Sequence, residues 1–263
     1  DYTDARFYID PSRAVAFLYY NEEPSIFKEV FTNPYSGEVL HCKDHTEDVF
    51  RIALELHTNL LLGEVGKEIV DWATLIFLLQ LIGGLVLWWP RTRATGRQRF
   101  TIKWGASPKR LNHDLHNVLG FYATWVAIFL VLTGFTWAFP QFTQGVEWLA
   151  NGGQASPEHP KMFSDTLSVS PPTPEVMDQV YRYACTQLPG AQRFFLAFPE
   201  KPADPYNLSA VYSEETYYEH RHVYFDQTSG QVLHDTPYDQ LTRGEQLVAM
   251  AYDIHVGKIL GLP

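Results

Sequence analysis

Two stretches of the chain carry no charge at all, Trp72 to Trp89 with the sequence WATLIFLLQLIGGLVLWW, and Val118 to Phe139. Eighteen residues at the helical rise span roughly 27 Å, close to the hydrocarbon thickness of a bilayer, and the second run is longer. Buried helices of water-soluble cores seldom continue so far without a polar face. The pattern therefore predicts two membrane helices, placed at 64–90 and 109–140. Trp88 and Trp89 mark one interface and Trp137 with Phe139 the other, as aromatic belts do.

Outside these runs the apolar positions follow shorter rhythms. Arg6 to Ile9, Ala14 to Tyr20 and Ile26 to Thr32 are rich in aromatic and β-branched residues and read as strands. Asn33-Pro34-Tyr35-Ser36-Gly37 is a turn signature. A helix follows, with Thr46 as N-cap and Val49, Phe50, Ala53, Leu54, Leu56 and His57 at helical spacing up to Gly63. Beyond the second span, Thr173 caps a helix that has Pro174 at its first position and runs to about Leu188, before Pro189-Gly190. Gln192 to Phe198, Tyr206 to Tyr212 and His220 to Asp226 read as three more strands. The prolines of residues 152–174 mark an irregular connector. The predicted class is a membrane α-helical bundle with α+β outer domains. Residues 1–62 form one, ending in a pre-membrane helix, and residues 141–252 form the other; residues 253–263 begin a further span.

Charge orients this arrangement. The chain has 20 basic and 30 acidic residues, and the loop 91–108 with the start of the next helix holds Arg91, Arg93, Arg97, Arg99, Lys103, Lys109 and Arg110 without one acidic residue. The positive-inside bias makes that loop cytoplasmic. The acidic flanking regions then lie outside, in the periplasm of a Gram-negative source. The lipid bilayer is the expected partner, and no nucleic acid is expected. Cys42 and Cys185 both fall outside, where a disulfide is permitted. The absence of a CxxCH sequence excludes covalent c-type haem attachment in this segment.

The chain also repeats itself. Ser36-Gly37-Glu38-Val39-Leu40-His41 returns as Ser229-Gly230-Gln231-Val232-Leu233-His234, and each copy leads to a further histidine, His57 and His255, with glycine six positions later. Equivalent units that pack about an axis can bring such histidines together, and two neutral imidazoles facing each other make a site for a metal, above all haem iron. The second copy stops where the first enters its membrane helix, so a further span is expected after Pro263 and another before Asp1, giving four in the full protein. At the opposite end of the second span, His116 is a candidate by its place beside an apolar run, and His113, one turn earlier on nearly the same face, is a second candidate for that role. The ordinary alternative for His57 and His255 is an interfacial histidine that hydrogen-bonds backbone or headgroups, and for His116 a snorkelling residue at a helix end. Gly83 and Gly84 leave room either for a flat macrocycle or for close helix packing. His220 and His222 alternate on one presumed strand face, where they either meet solvent or face a ferric ligand. His41 and His234 occupy the repeated turn, and common ancestry is enough to explain their repetition.

Asn33 to Leu40, His57 to Gly66, the segment GGLVLWWP from Gly83 to Pro90, KRLNHDLHNVLG from Lys109 to Gly120, and His255 to Pro263 together resemble the PepSY-associated transmembrane family of bacterial iron-uptake proteins. The likeness spans nearly the whole chain. It implies PepSY-like outer domains, a place in the bacterial inner membrane, and kinship with haem-containing reductases of ferric siderophores. It further implies two haem b groups per full-length protein. His57 and His255 would ligate the outer one, and His116 would share the inner one with a histidine of a span this chain lacks. The implied substrate is a ferric siderophore or ferric iron reduced on the periplasmic side. The cytoplasmic loop has no nucleotide fingerprint, so the electron donor is quinol or a separate cytoplasmic reductase. The alternative is a non-enzymatic membrane protein whose outer domains bind a protease or transporter. A transporter is disfavoured, since Gln80 is the only polar group deep in the first span.

Overall fold

The six strands read from the sequence are present, and two more join them. The computed structural model describes residues 2–21, 26–90, 92, 96, 99–158, 162–164, 174–213 and 215–260. Strands β1 (Asp4–Tyr8), β2 (Val15–Asn21), β3 (Ile26–Thr32) and β4 (Val39–Asp44) precede the membrane helices; β5 (Arg193–Ala197), β6 (Tyr206–Val211), β7 (His220–Phe225) and β8 (Val232–Thr236) follow them. All eight form one antiparallel sheet in the order β4-β3-β2-β1-β5-β6-β7-β8. The two regions that flank the long apolar helices, expected as separate domains, are thus fused along a seam in which Arg6 faces Phe195 and Phe7 faces Phe194. An edge strand with unpaired backbone groups seeks a partner; pairing β1 with β5 removes one such edge from each region.

The sheet reads the same outward from that seam in both directions. β4 and β8 are its two outer edges, each entered through a copy of the repeated turn. In the first turn the Gly37 N–H donates to the Asn33 carbonyl at 2.9 Å, and in the second the Gly230 N–H donates to the Asp226 carbonyl at 2.9 Å. Both glycines have φ of 70°, in the left-handed region that favours glycine. Asn33 Oδ1 accepts from the N–H groups of Tyr35 and Ser36; Asp226 Oδ1 accepts from those of Thr228 and Ser229. Even the register shifts correspond, at Phe31/Thr32 and Tyr224/Phe225.

The first helix, α1 (Val49–Asn59), is capped by Asp48, whose carboxylate accepts from Phe50 N, in place of the expected Thr46. The Thr46 hydroxyl instead accepts from Phe27 N in β3. The expected cap at Thr173 lies outside the described residues. The long apolar helices are α2 (Gly63–Trp88) and α3 (Pro108–Ala138), each with mean hydropathy 2.0 over its most apolar window, within about two residues of the predicted bounds. They pack on each other, and α1 packs on α2. Three helices were not foreseen as such or in full: α4 (Pro140–Ala150), α6 (Arg243–Ala249) and α7 (Ala251–His255). Between them, α5 (Pro174–Gln187) ends close to the expected stop. The span expected to start at 253 differs: α7 ends at His255, Gly257 turns with φ of 77°, and a short 3-10 turn covers Lys258–Leu260.

The core lies between α5 and the second half of the sheet. Val180, Ala184 and Leu188 meet Phe194, Tyr206, Leu208, Val223 and Phe225, all buried, and Ala5 and Phe7 of β1 extend the cluster across the seam. Strand alternation turns the neighbouring residues to the other face, where Arg51 of α1 sits over the rings of Tyr20 and Phe27. There Arg6 and His45 both engage the buried Glu29.

Candidate outer histidine site

His57 lies in the last turn of α1, just before a sharp elbow into α2. Leu60 and Leu61 adopt positive φ of 54° and 60°, a strained conformation for side chains of this size. Gly66 completes the elbow: a Cβ there would stand 1.6 Å from the Asn59 carbonyl oxygen, so only glycine lets α2 pass so close to the end of α1.

His255 is held more firmly. The fully buried Asp253, on the same short helix, accepts hydrogen bonds from Tyr217 N and Tyr218 N at 2.8 and 2.7 Å, tying α7 to the loop before β7. α7 in turn packs on the C-terminal part of α3. There the His255 Nδ1 is 2.9 Å from the Thr133 hydroxyl, and the Trp137 ring meets the imidazole edge to face at 5.4 Å. Thr133 is buried, and the Phe129 and Leu130 carbonyls are both within reach of its single proton, at 2.8 and 3.0 Å. With that proton on a carbonyl, its oxygen accepts from Nδ1, the tautomer that leaves the Nε2 lone pair free.

These two placements bring the repeated histidines together. The His57 and His255 rings are 6.1 Å apart, centroid to centroid, with an angle of 42° between their planes. Two imidazoles on opposite sides of one metal ion, each bonded at about 2 Å, leave ring centres about 6 Å apart. The separation matches that of two imidazoles sharing one metal, and the Thr133 hydroxyl is the kind of partner that orients a ligating histidine.

At the other end of the spans no such meeting occurs. His113 and His116 are both exposed on the first turns of α3; Asn117 hydrogen-bonds the ring and the carbonyl of His113. His116 makes no ring contact with a second histidine among the described residues. The residue that organises this end is Asp114, which sequence reading passed over. Its buried carboxylate accepts from Arg110 Nε at 2.9 Å and from Lys103 N at 3.3 Å. Trp88 donates to the Asn117 carbonyl and stacks on Phe121 at 4.2 Å. An aspartate amid basic residues, adjacent to a histidine, was the available signal. Gly83 and Gly84 have open space where a Cβ would lie, so neither serves close packing within the described structure.

The remaining sequence candidates sort by position. His41 and His234 occupy matching places on the edge strands, beside Phe31 at 6.1 Å and Tyr224 at 6.4 Å, as a duplication requires. Cys42 and Cys185 are free and exposed. His220 and His222 do share one face of β7, with rings 4.8 Å apart. Burial, and then the neighbouring His220, push the His222 imidazole down to about 4, so it is neutral at physiological pH. Across the sheet, burial pushes the Asp235 carboxyl up, but hydrogen bonds from Arg221 and Tyr183 outweigh it and hold the group below the usual carboxylate range.

A comparison with curated proteins returns no match. The sequence does match the PepSY-associated TM region family over residues 2–263, which takes in both long apolar helices, the sheet and all four candidate histidines. On that match the chain belongs to the PepSY-associated TM region family, and it is a membrane protein.

Proposed function

We propose that the protein carries electrons outward across the bacterial inner membrane and reduces ferric iron or a ferric siderophore on the periplasmic side. The observation that carries this reading is the approach of His57 and His255 to 6.1 Å from two copies of one repeat, with Thr133 holding the proton on the far nitrogen of His255. Both sit at the outer ends of the apolar helices, opposite the basic loop that the positive-inside bias leaves in the cytoplasm.

The residues fit haem b. His57 and His255 would hold it through their imidazoles, and it would supply one-electron chemistry there. Everything else in the proposal belongs to the chain. Thr133 fixes the tautomer and the rotation of His255. Asp253 and the elbow at Gly66 hold the two helix ends in register. Trp137 closes one side of the His255 ring against lipid. At the cytoplasmic end His116, or His113 beside it, would hold an inner haem, on the side where quinol or a soluble reductase would be the electron donor. Ferrous iron, bound more weakly by oxygen chelators than ferric iron, would leave the siderophore after reduction.

The test uses the full-length protein purified in detergent from haem-replete cells. Haem b is expected in a fixed ratio to protein, and the dithionite-reduced form should be reoxidised rapidly by a ferric hydroxamate complex. A preparation with no haem, or a reduced haem that ferric complexes leave untouched, would remove the reductase and favour a domain that only binds a protein partner.

A further inference from the structure

The face of the sheet opposite α5 holds a second pair of imidazoles, away from the membrane helices and with a different construction. Val223 and Phe225 of β7 point into the core, so alternation turns His220 and His222 to the other side. Their cross-strand partners there are Val211 and Ser209. The two rings stand 4.8 Å apart and nearly perpendicular, at 87°.

Each ring has one nitrogen already committed. His220 Nδ1 hydrogen-bonds the Tyr217 carbonyl, which only accepts, so Nδ1 bears the proton. His222 Nδ1 is 2.9 Å from the Ser209 hydroxyl and 3.4 Å from Asn207 Oδ1; the amide oxygen again only accepts, which draws the proton to Nδ1. Both rings are therefore left with an Nε2 lone pair. The loop that supplies the Tyr217 carbonyl is itself pinned by the buried Asp253, so His220 rests on a fixed support. Histidines two apart on a strand, each with its outer nitrogen held by a hydrogen bond, are the arrangement that imidazole-preferring ions use.

We propose that His220 and His222 bind one first-row transition-metal ion of the ferrous or zinc class through their two Nε2 atoms, with water completing the coordination. Among the described residues no cluster of three or more histidine, cysteine, aspartate or glutamate side chains is placed to hold a metal, so the site is a two-ligand one suited to exchange rather than permanent retention. Imidazole donors without a carboxylate select against magnesium and calcium. The proposal stands independently of haem binding. It also gives a released ferrous ion a first landing place, because Tyr217 touches His220 on one side and Tyr252, on the helix of His255, on the other.

Titration calorimetry of the metal-free, full-length protein with Zn2+ tests this. One equivalent is expected to disappear in His220→Gln and in His222→Gln, to weaken about tenfold in Ser209→Ala, whose hydroxyl orients the ligand, and to persist when His57 and His255 are both replaced by alanine. On the unmutated protein, diethyl pyrocarbonate should modify His220 and His222, and Zn2+ should protect them. Equal Zn2+ binding in the wild type and both glutamine variants, or no protection of these two residues, would overturn the assignment.

Discussion

The two copies of the repeat share their chemistry at the turn and differ in what surrounds it. Both bend at a glycine with φ of 70°, and both feed an edge strand from which the chain runs on through helix to a histidine. In the second copy the strands lie under α5, with Phe194, Leu208 and Val223 wholly buried, and its histidine is locked by Thr133, Trp137 and the Asp253 anchor. In the first copy β4 is exposed along its whole length, the interior on the other face is the polar group Arg6, Glu29 and His45, and His57 sits exposed beside the elbow into α2. Duplication thus preserved what local geometry demands, while burial was distributed unequally. The second copy thus places its histidine against buried partners, and the first places its own beside an exposed helix end.

The largest effects should fall on the buried half. Phe194→Ala removes a fully buried ring and is expected to cost about 3–5 kcal/mol in chemical unfolding followed by tyrosine fluorescence, whereas Val39→Ala, on a side chain 59% exposed, should stay within about 0.5 kcal/mol. Equal costs would break the comparison. Next comes Asp235, which takes a pair of hydrogen bonds from Arg221 at 2.6 and 2.5 Å and one from Tyr183 at 2.7 Å. Asp235→Asn should cost about 1.5–3 kcal/mol at neutral pH. Because folding lowers the Asp235 pKa, its contribution is complete above the unfolded value of about 3.9 and is lost as pH falls below it. The difference between wild type and Asp235→Asn should therefore shrink on the acid side of pH 4 and stay constant above pH 5.

Smaller effects sharpen the contrast between the two histidines. Thr133→Val should leave the fold intact and weaken haem retention about tenfold, with a shifted midpoint potential in a redox titration, and Thr133→Ser should restore both. An unchanged potential in the valine variant would mean that the hydroxyl does not set the state of His255. The smallest test is the turn itself. Alanine at Gly37 or at Gly230 forces a side chain into positive φ and should cost about 1–2 kcal/mol in each case. Gly230→Ala should cost slightly more, since its Cβ would displace the Gln179 amide.

The periodicity of the sequence sufficed for the two spans, six strands and α5, because those segments are long or strongly patterned. It failed for β4 and β8: Val39-Leu40-His41 and Val232-Leu233-His234 follow a turn closely, and their strand state comes from pairing with β3 and β7, a tertiary cause. The same holds for the fused sheet, since nothing local in Arg6 or Phe195 says that they face each other across the membrane helices that separate them in the chain. Thr46 has the chemistry of an N-cap, yet β3 claims its hydroxyl and leaves the role to Asp48. The outer histidines were legible because they are repeated. Thr133 was not, for a threonine inside an apolar helix normally returns its proton to the backbone, as this one does, and only the fold shows what its oxygen accepts. Asp114 was hidden by the basic residues around it, which drew attention to orientation alone.

The proposed function rests on His57 and His255 holding one haem between them. The direct measurement is the reduced-minus-oxidised absorption spectrum of the full-length protein in detergent, beside His57→Ala and His255→Ala, with the sheet shown intact in each by circular dichroism. The account predicts sharp b-type bands in the wild type that fall by the same amount in both variants. Bands that persist unchanged in either variant, or a wild-type spectrum without them, would contradict it.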